Sequence, residues 1–109
     1  MLTNKALNTV GICKCANKVS YGETLIKDIK HHTVEIVVIC KDTSDNSKKK
    51  IMDKCNYYNC DYVIAFTQDE MKKVLSRIDA VSAIGIKDIN LAKKLKENLE
   101  REGEFDGEE

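Results

Sequence analysis

VEIVVIC, residues 34–40, is the stretch that says most about the fold of this chain. It is an almost continuous run of apolar, mostly β-branched side chains. Such a run is typical of a strand that is covered on both faces of a sheet. We therefore predict that residues 34–40 form the central strand of an α/β domain.

Upstream of this strand, the sequence predicts two helices separated by a turn. Residues 4–17 place apolar side chains near one helical face, and residues 18–22 form a short extended stretch that ends in a glycine. Residues 23–30 then repeat apolar side chains at helical spacing, which indicates an amphipathic helix. Its apolar residues are Leu25, Ile26 and Ile29.

Downstream, two strand-like segments alternate with three helix-like segments. The strands are predicted at residues 62–66 and 80–86, and TQDE at residues 67–70 matches a capping box that opens a helix. Four side chains are candidate helix caps: Ser44, Asp45, Thr67 and Asp88. Because helices separate the strands, we predict a three-layer α/β/α sandwich.

The 109 residues fit a single domain, which we place at residues 1–99. The formal net charge is zero, but residues 1–99 carry 17 Lys or Arg against 12 Asp or Glu, while residues 100–109 carry one Arg against six acids. The body is therefore basic, and we predict that the acidic tail at 100–109 is disordered because it has too few apolar residues to bury.

The composition and the first residues also indicate the cellular compartment of the protein. No apolar run approaches the roughly 20 residues that cross a bilayer, and the first residues lack the apolar core of a signal peptide. We expect a cytoplasmic protein whose five cysteines stay reduced, since an odd set without an export signal does not indicate a disulfide framework.

The cysteines could in principle bind a metal ion, but their spacing argues against a metal site. Cys13 and Cys15 would diverge by about 200° on a helix, so they cannot converge on one ion. Cys55 and Cys60 lack the short spacing of zinc ligands. We predict no metal and no cofactor.

Cys40 and Asp42 follow the central strand, where open α/β sheets often place ligands. Nothing else in the sequence completes a nucleophilic or phosphoryl-accepting site, and neither a catalytic triad nor a glycine-rich phosphate loop is recognisable. We expect that Cys40 packs, that Asp42 makes local hydrogen bonds, and that the protein is not an enzyme.

Lysines are concentrated in segments whose ends could meet at one end of the sandwich: Lys14, Lys18, Lys27, Lys30 and residues 48–50. Such a cluster would suit phosphates. Lysines also commonly do no more than solvate helix faces, so charge by itself leaves both interpretations open.

Three segments resemble a known family: KVSYGETLIKDIK at residues 18–30, VEIVVICKDTSDNSKKKIMDKCNYYN at 34–59 and AVSAIGIKD at 80–88. They look like the bacterial YlxQ-type proteins, relatives of the archaeal and eukaryotic ribosomal proteins that recognise kink-turn RNA. The resemblance covers residues 5–99. It implies an α/β/α sandwich with a mixed four-stranded sheet and an RNA-binding end.

The resemblance also implies site residues. The family's Asn-Glu-x-x-Lys signature, aligned on its lysine, falls on Glu23, Thr24 and Lys27. Only Lys27 matches outright. Glu23 places a carboxylate, which accepts hydrogen bonds but does not donate them unless protonated, where the family has an amide.

We therefore predict a non-enzymatic, monomeric protein that binds structured RNA, ribosomal or kink-turn-like. The predicted contact region consists of Lys14, Lys18, Tyr21, Gly22, Glu23, Thr24 and Lys27, flanked by Asp42, Ser44 and Lys48 in the next loop. The alternative is a protein-interaction or regulatory module that keeps this fold without kink-turn recognition, which Glu23 and the acidic tail favour. The acidic tail could also compete with RNA for the basic face.

Overall fold

The computed structural model describes residues 5–75 and 81–101 of the chain. Within these residues, five helices and four strands alternate. In chain order they are α1 (Lys5–Cys15), β1 (Val19–Tyr21), α2 (Glu23–Lys30), β2 (Ile36–Ile39), α3 (Asp45–Tyr57), β3 (Asp61–Ile64), α4 (Gln68–Leu75), β4 (Ala83–Ile86) and α5 (Ile89–Arg101).

The four strands form one mixed sheet in the order β1-β4-β2-β3. Strand β2 pairs in parallel with β3 and antiparallel with β4, so that Val37 lies opposite Tyr62 on one side and Gly85 on the other. Strand β1 pairs antiparallel with β4. The predicted position of β2 inside the sheet is confirmed.

Strand direction brings several chain segments to the same end of the sheet. Strands β1, β2 and β3 run one way and β4 runs the other way. The end where β1, β2 and β3 finish and β4 starts is called here the carboxyl end. Helices α2, α3 and α4 begin there, because each follows one of these three strands.

Two apolar layers explain why β2 is apolar throughout. Ile36 and Val38 belong to a cluster with α1, α4 and α5, whereas Val37 and Ile39 belong to a second cluster with α2 and α3. All four side chains are buried, and each contributes roughly 1.5–3 kcal/mol to the free energy of unfolding. The predicted three-layer sandwich is confirmed.

Side-chain caps fix the starts of three helices as predicted. The Ser44 hydroxyl accepts from the Ser47 N–H at 3.3 Å. Thr67 and Glu70 form a reciprocal capping box, with N–H to side-chain oxygen distances of 2.9 and 3.1 Å. The Asp88 carboxylate accepts from two N–H groups in the first turn of α5, at 2.8 and 3.0 Å.

Several predicted boundaries shift. The β2 ladder spans 36–39, although the Glu35 and Cys40 N–H groups still bond to carbonyls of the neighbouring chain segment at 2.7 and 2.8 Å. Strand β3 ends before Phe66, whose φ of 67° is left-handed and incompatible with a continuing strand. Strand β4 covers only 83–86 of the predicted 80–86, because Val81 and Ser82 form a loop and residue 80 lies outside the described residues.

The predicted tail boundary moves as well. Helix α5 continues to Arg101, two residues beyond the predicted domain end, because the buried Leu95 and Leu99 hold its last turns on the sheet. The rest of the predicted acidic tail, residues 102–109, lies outside the described residues. The single-domain assignment stays a prediction.

Gly85 in β4 lets α2 approach the sheet closely. A Cβ at this position would meet Leu25 Cδ1 at 2.6 Å and Val34 Cγ1 at 2.9 Å, well inside van der Waals contact. We expect Gly85→Ala to lower the free energy of unfolding by about 1–3 kcal/mol, since Leu25 and Val34 are buried and must shift together. Urea denaturation measures the change.

Gly11→Ala is the matched control. Its added methyl would lie 3.3 Å from a single atom of the half-buried Val74, and alanine favours the helix by about 1 kcal/mol. We expect this variant to stay within about 1 kcal/mol of the wild type. Equal stability of the Gly85→Ala variant and the wild type would contradict the close packing of α2.

Candidate nucleic-acid interface

Gly22 opens helix α2 at the carboxyl end of the sheet. It is the N-cap residue, with φ 68° and ψ −143°, a conformation that is essentially restricted to glycine. No atom lies within 4 Å of a Cβ built at this position, so the space beside it is open. A ligand can therefore approach the backbone and the first N–H groups of α2 closely.

A cavity of about 360 Å³ lies next to Gly22, between α2, α3 and the loop that precedes β4. Apolar side chains dominate its lining, and one lysine and two serines add polar groups. The lining residues are Tyr21, Gly22, Leu25, Ile26, Ser47, Lys50, Ile51, Val81, Ser82 and Ala83. Tyr21 and Gly22 belong to the predicted contact region, and Lys50 belongs to the predicted lysine cluster. The other cavity residues on α3 and the loop before β4 were not predicted.

The end of β2 holds the loop wall of this cavity in place. The Cys40 thiol donates to the Val81 carbonyl at 3.2 Å, and the Thr43 hydroxyl donates to the Ser82 carbonyl at 2.9 Å. The Cys40 N–H donates to the same Ser82 carbonyl at 2.8 Å. Three hydrogen bonds from one short segment therefore fix the position of residues 81 and 82.

The Cys40 thiol stays protonated in this role. Burial raises its pKa to about 12, and the negative charges of Asp42 and Glu70 add to the shift. A neutral thiol can donate a hydrogen bond to a carbonyl, whereas a thiolate cannot. Cys40 is fully buried, in agreement with the expectation that it packs.

Two of the predicted flanking residues are engaged within the protein. The Asp42 carboxylate accepts from the Gln68 N–H at 2.9 Å, and the Asp42 carbonyl accepts from the Gln68 side-chain amide at 3.3 Å. Ser44 caps α3. Asp42 and Ser44 therefore shape the carboxyl end by tying its loops together. The expectation of local hydrogen bonds for Asp42 is wrong, because its partner Gln68 lies 26 residues away in sequence.

The signature positions on α2 all lie at the surface near Gly22. Glu23, Thr24 and Lys27 are exposed, and Glu23 and Lys27 share a helix face because they are four residues apart. Lys27 lies about 6 Å further along the helix axis than Glu23. Lys48, in the first turn of α3, is half-buried at the same end of the sheet.

The structure does not bring Lys14 and Lys18 into this group. Lys14 is in the last turn of α1, and Lys18 immediately precedes β1, where its carbonyl accepts from the Lys87 N–H at 2.8 Å. Gly22 follows the other end of the same strand, roughly 13 Å away at 3.3 Å per residue. The two lysines were grouped with Gly22 by their nearness in sequence, but a strand separates them in space.

Metal ligation finds no support among residues 5–75 and 81–101, where no group of three or more His, Cys, Asp or Glu side chains could hold an ion. Cys13 is buried and Cys15 is exposed, so the predicted divergence of this pair is confirmed.

None of the helices among residues 5–75 and 81–101 is long and apolar enough to cross a membrane.

Residues 4–96 match the model of the ribosomal protein L7Ae/L30e/S12e/Gadd45 family. The chain belongs to this family. Two curated relatives, both named RNA-binding protein YlxQ, are similar to it. The Enterococcus faecium protein is 37% identical over 88% of this chain and 92% of its own length, and the Bacillus subtilis protein is 36% identical over 79% and 86%. The resemblance to YlxQ-type proteins is thereby confirmed.

Solved structures share the fold of this L7Ae-family chain. A protein of unknown function from Bacillus halodurans superposes with a TM-score of 0.83 at 23% identity, over 90% of this chain and 99% of that one. The 15.5 kD RNA binding protein of Giardia lamblia superposes with a TM-score of 0.72 at 15% identity, over 93% and 90%. The expected α/β/α fold with a mixed four-stranded sheet is confirmed.

Because two of its thiols are buried, we expect this protein to lose stability at alkaline pH. Burial raises the pKa of Cys40 to about 12 and, together with the charge of Asp88, that of Cys13 to about 11, against an ordinary value of 9.0. The contribution that these raised pKa values make to the free energy of unfolding is fully present below pH 9. It falls as the pH rises towards 11 and 12, because the unfolded chain then loses protons that the folded protein keeps.

We expect each of the two thiols to reduce the free energy of unfolding by about 1.4 kcal/mol per pH unit above 9. Urea denaturation between pH 7.5 and 10.5 measures the slope. Cys40→Ala should have a shallower slope than the wild type, and Gly11→Ala, which removes no titratable group, should match the wild type. Equal slopes for Cys40→Ala and the wild type would contradict the assignment.

Proposed function

We propose that this protein binds structured RNA at the carboxyl end of its sheet and catalyses no reaction. The observation that carries the proposal is the apolar cavity of about 360 Å³ beside the open backbone of Gly22, with lysines on both adjoining helices. Membership of the ribosomal protein family supports it, as do the names of the two bacterial relatives.

The cavity suits a base that is turned out of its stack. Proteins recognise RNA sequence mainly through unstacked bases, which they hold between apolar or aromatic side chains and read with a few polar groups. Leu25, Ile26 and Ile51 supply apolar walls, and Ser47 with the pinned loop at 81–83 supplies polar atoms. Because three hydrogen bonds fix this loop, the cavity is formed before RNA arrives.

Phosphates would be bound at the rim of the cavity. Lys50 lines the cavity from α3, Lys48 lies in the first turn of the same helix, and Lys27 lies on α2, the helix that forms the opposite wall. Phosphate contacts of this kind supply affinity and orientation but carry no sequence information. Tyr21 and Gly22 would contribute shape, since both line the cavity and Gly22 admits a close backbone approach.

Glu23 gives the interface a preference for hydrogen-bond donors. An ionised carboxylate only accepts hydrogen bonds, so it suits the exocyclic amino groups of bases. Thr24 can donate or accept. We infer that the target is a kink-turn-like or ribosomal RNA and that the protein acts as a cytoplasmic monomer without a metal or cofactor. The proposed contact surface excludes Lys14 and Lys18. Asp42 and Ser44 contribute indirectly, because their hydrogen bonds within the protein hold the loops at this end of the sheet.

Charge reversal at Lys27 tests the proposal. We expect Lys27→Glu to lower the affinity for a kink-turn stem-loop at least tenfold and to reduce the salt dependence of binding, because one phosphate contact becomes a repulsion. The measurement is a fluorescence anisotropy titration at several salt concentrations. The comparison RNA contains the same stem with the kink replaced by paired bases.

Lys93→Glu is the matched control, since Lys93 is an exposed lysine on α5, on the other side of the sheet. It should bind like the wild type. Equal binding of Lys27→Glu and the wild type, with the variant folded, would overturn the proposed contact surface. A wild-type protein that binds neither RNA would favour a protein-interaction module instead.

A further inference from the structure

We propose that a groove between α2 and α3 binds an unpaired segment of the RNA, with Tyr57 as the platform on which a base stacks. The proposal rests on the proposed function, because it extends the same RNA-binding surface. The groove, called here the tyrosine groove, encloses about 760 Å³ and is lined by Ile26, Lys50, Asp53, Lys54, Tyr57 and Tyr58.

The tyrosine groove continues from the cavity at the carboxyl end of the sheet. Ile26 and Lys50 line both spaces. Along α3, Ser47, Lys50, Lys54 and Tyr57 follow each other at intervals of three or four residues, so they form one stripe on the helix surface. The stripe is about 15 Å long at 1.5 Å per residue. An RNA strand that leaves the cavity therefore has a continuous path along α3.

The Tyr57 side chain is mostly exposed to solvent, unlike a tyrosine that packs in the core. Its exposed fraction is 79%, the highest among the large apolar side chains that the structure describes as exposed. Its ring contacts Tyr58 edge to face, with centroids 4.8 Å apart and an interplanar angle of 83°. Tyr58 is itself half-buried and contacts His32 edge to face. The Tyr58 ring thus supports Tyr57 from one side, and most of the Tyr57 surface remains available to a ligand.

Charge favours nucleic acid over protein as the occupant. Lys50 and Lys54 line the groove against a single acid, Asp53. Lysine is depleted at the centre of protein–protein interfaces, whereas lysines beside exposed aromatic rings are the usual lining of channels for single-stranded nucleic acid. The two lysines would bind phosphates while Tyr57 stacks on a base.

This chemistry predicts little sequence preference. Every base has an aromatic face, so stacking on tyrosine tolerates any sequence. The tyrosine groove should therefore add affinity for RNA that carries unpaired nucleotides next to the structured element. It should not change the affinity for the structured element alone.

The test uses the full chain and kink-turn stem-loops with or without a single-stranded adenosine extension at either end. We expect the wild type to bind one of the extended RNAs more tightly than the blunt RNA. Tyr57→Ala should weaken binding to that RNA by about tenfold and leave binding to the blunt RNA unchanged. Tyr57→Phe, which keeps the ring, should bind like the wild type.

A second readout isolates stacking. A 2-aminopurine placed in the extension should lose fluorescence on binding to the wild type and to Tyr57→Phe, but not on binding to Tyr57→Ala. Ile89→Ala is the control for loss of an exposed apolar side chain, since Ile89 is 54% exposed on α5. Circular dichroism checks that each variant is folded.

The outcomes separate this inference from the proposed function. Wild-type binding to the blunt RNA with no effect of Tyr57→Ala on the extended RNAs would overturn the tyrosine groove and leave the proposed function standing. If Tyr57→Ala weakened binding to the blunt RNA as much as binding to the extended RNAs, the tyrosine groove would also be overturned. No binding of the wild type to any of these RNAs would overturn both.

Discussion

The antiparallel strand β4 between β1 and β2 is the constraint on which the rest of the structure depends. Because β4 runs against its two neighbours, β1 and β2 run in the same direction and finish at the same end of the sheet. The loop that enters β4 arrives at that end too, where Cys40 and Thr43 hold it by three hydrogen bonds. Segments from three separate parts of the sequence thus meet around one cavity, held by packing and hydrogen bonds.

Two glycines serve this arrangement for different physical reasons. Gly85 is needed because a side chain there would displace the buried Leu25 and so move α2 away from the sheet. Gly22 is needed because its backbone conformation is strained for other residues, although space around it is open. Gly85 therefore sets the position of α2, and Gly22 sets how closely a ligand can approach its first turn.

Local sequence signals predicted the fold well. Helix α2 was predicted with its observed limits because its apolar spacing is regular and a glycine precedes it, and the capping box at 67–70 formed as its pattern indicates. The site was predicted only in part. The loop at 81–83 reaches the cavity through contacts that are distant in sequence, and Lys50 stood out only as one lysine of a run. Lys14 and Lys18 lie away from the cavity, because charge patterns do not reveal at which end of a strand a residue lies.

The most direct test of the central claim, that RNA binds at the carboxyl end of the sheet, is a titration of the ¹⁵N-labelled protein with a kink-turn stem-loop, followed by amide chemical shifts. We expect the largest shifts at residues 21–27, 47–51 and 81–83. We expect small shifts at Lys14 and Lys18, at the other end of the sheet. Shifts concentrated around those two lysines or along α5, with residues 21–27 unchanged, would contradict the claim.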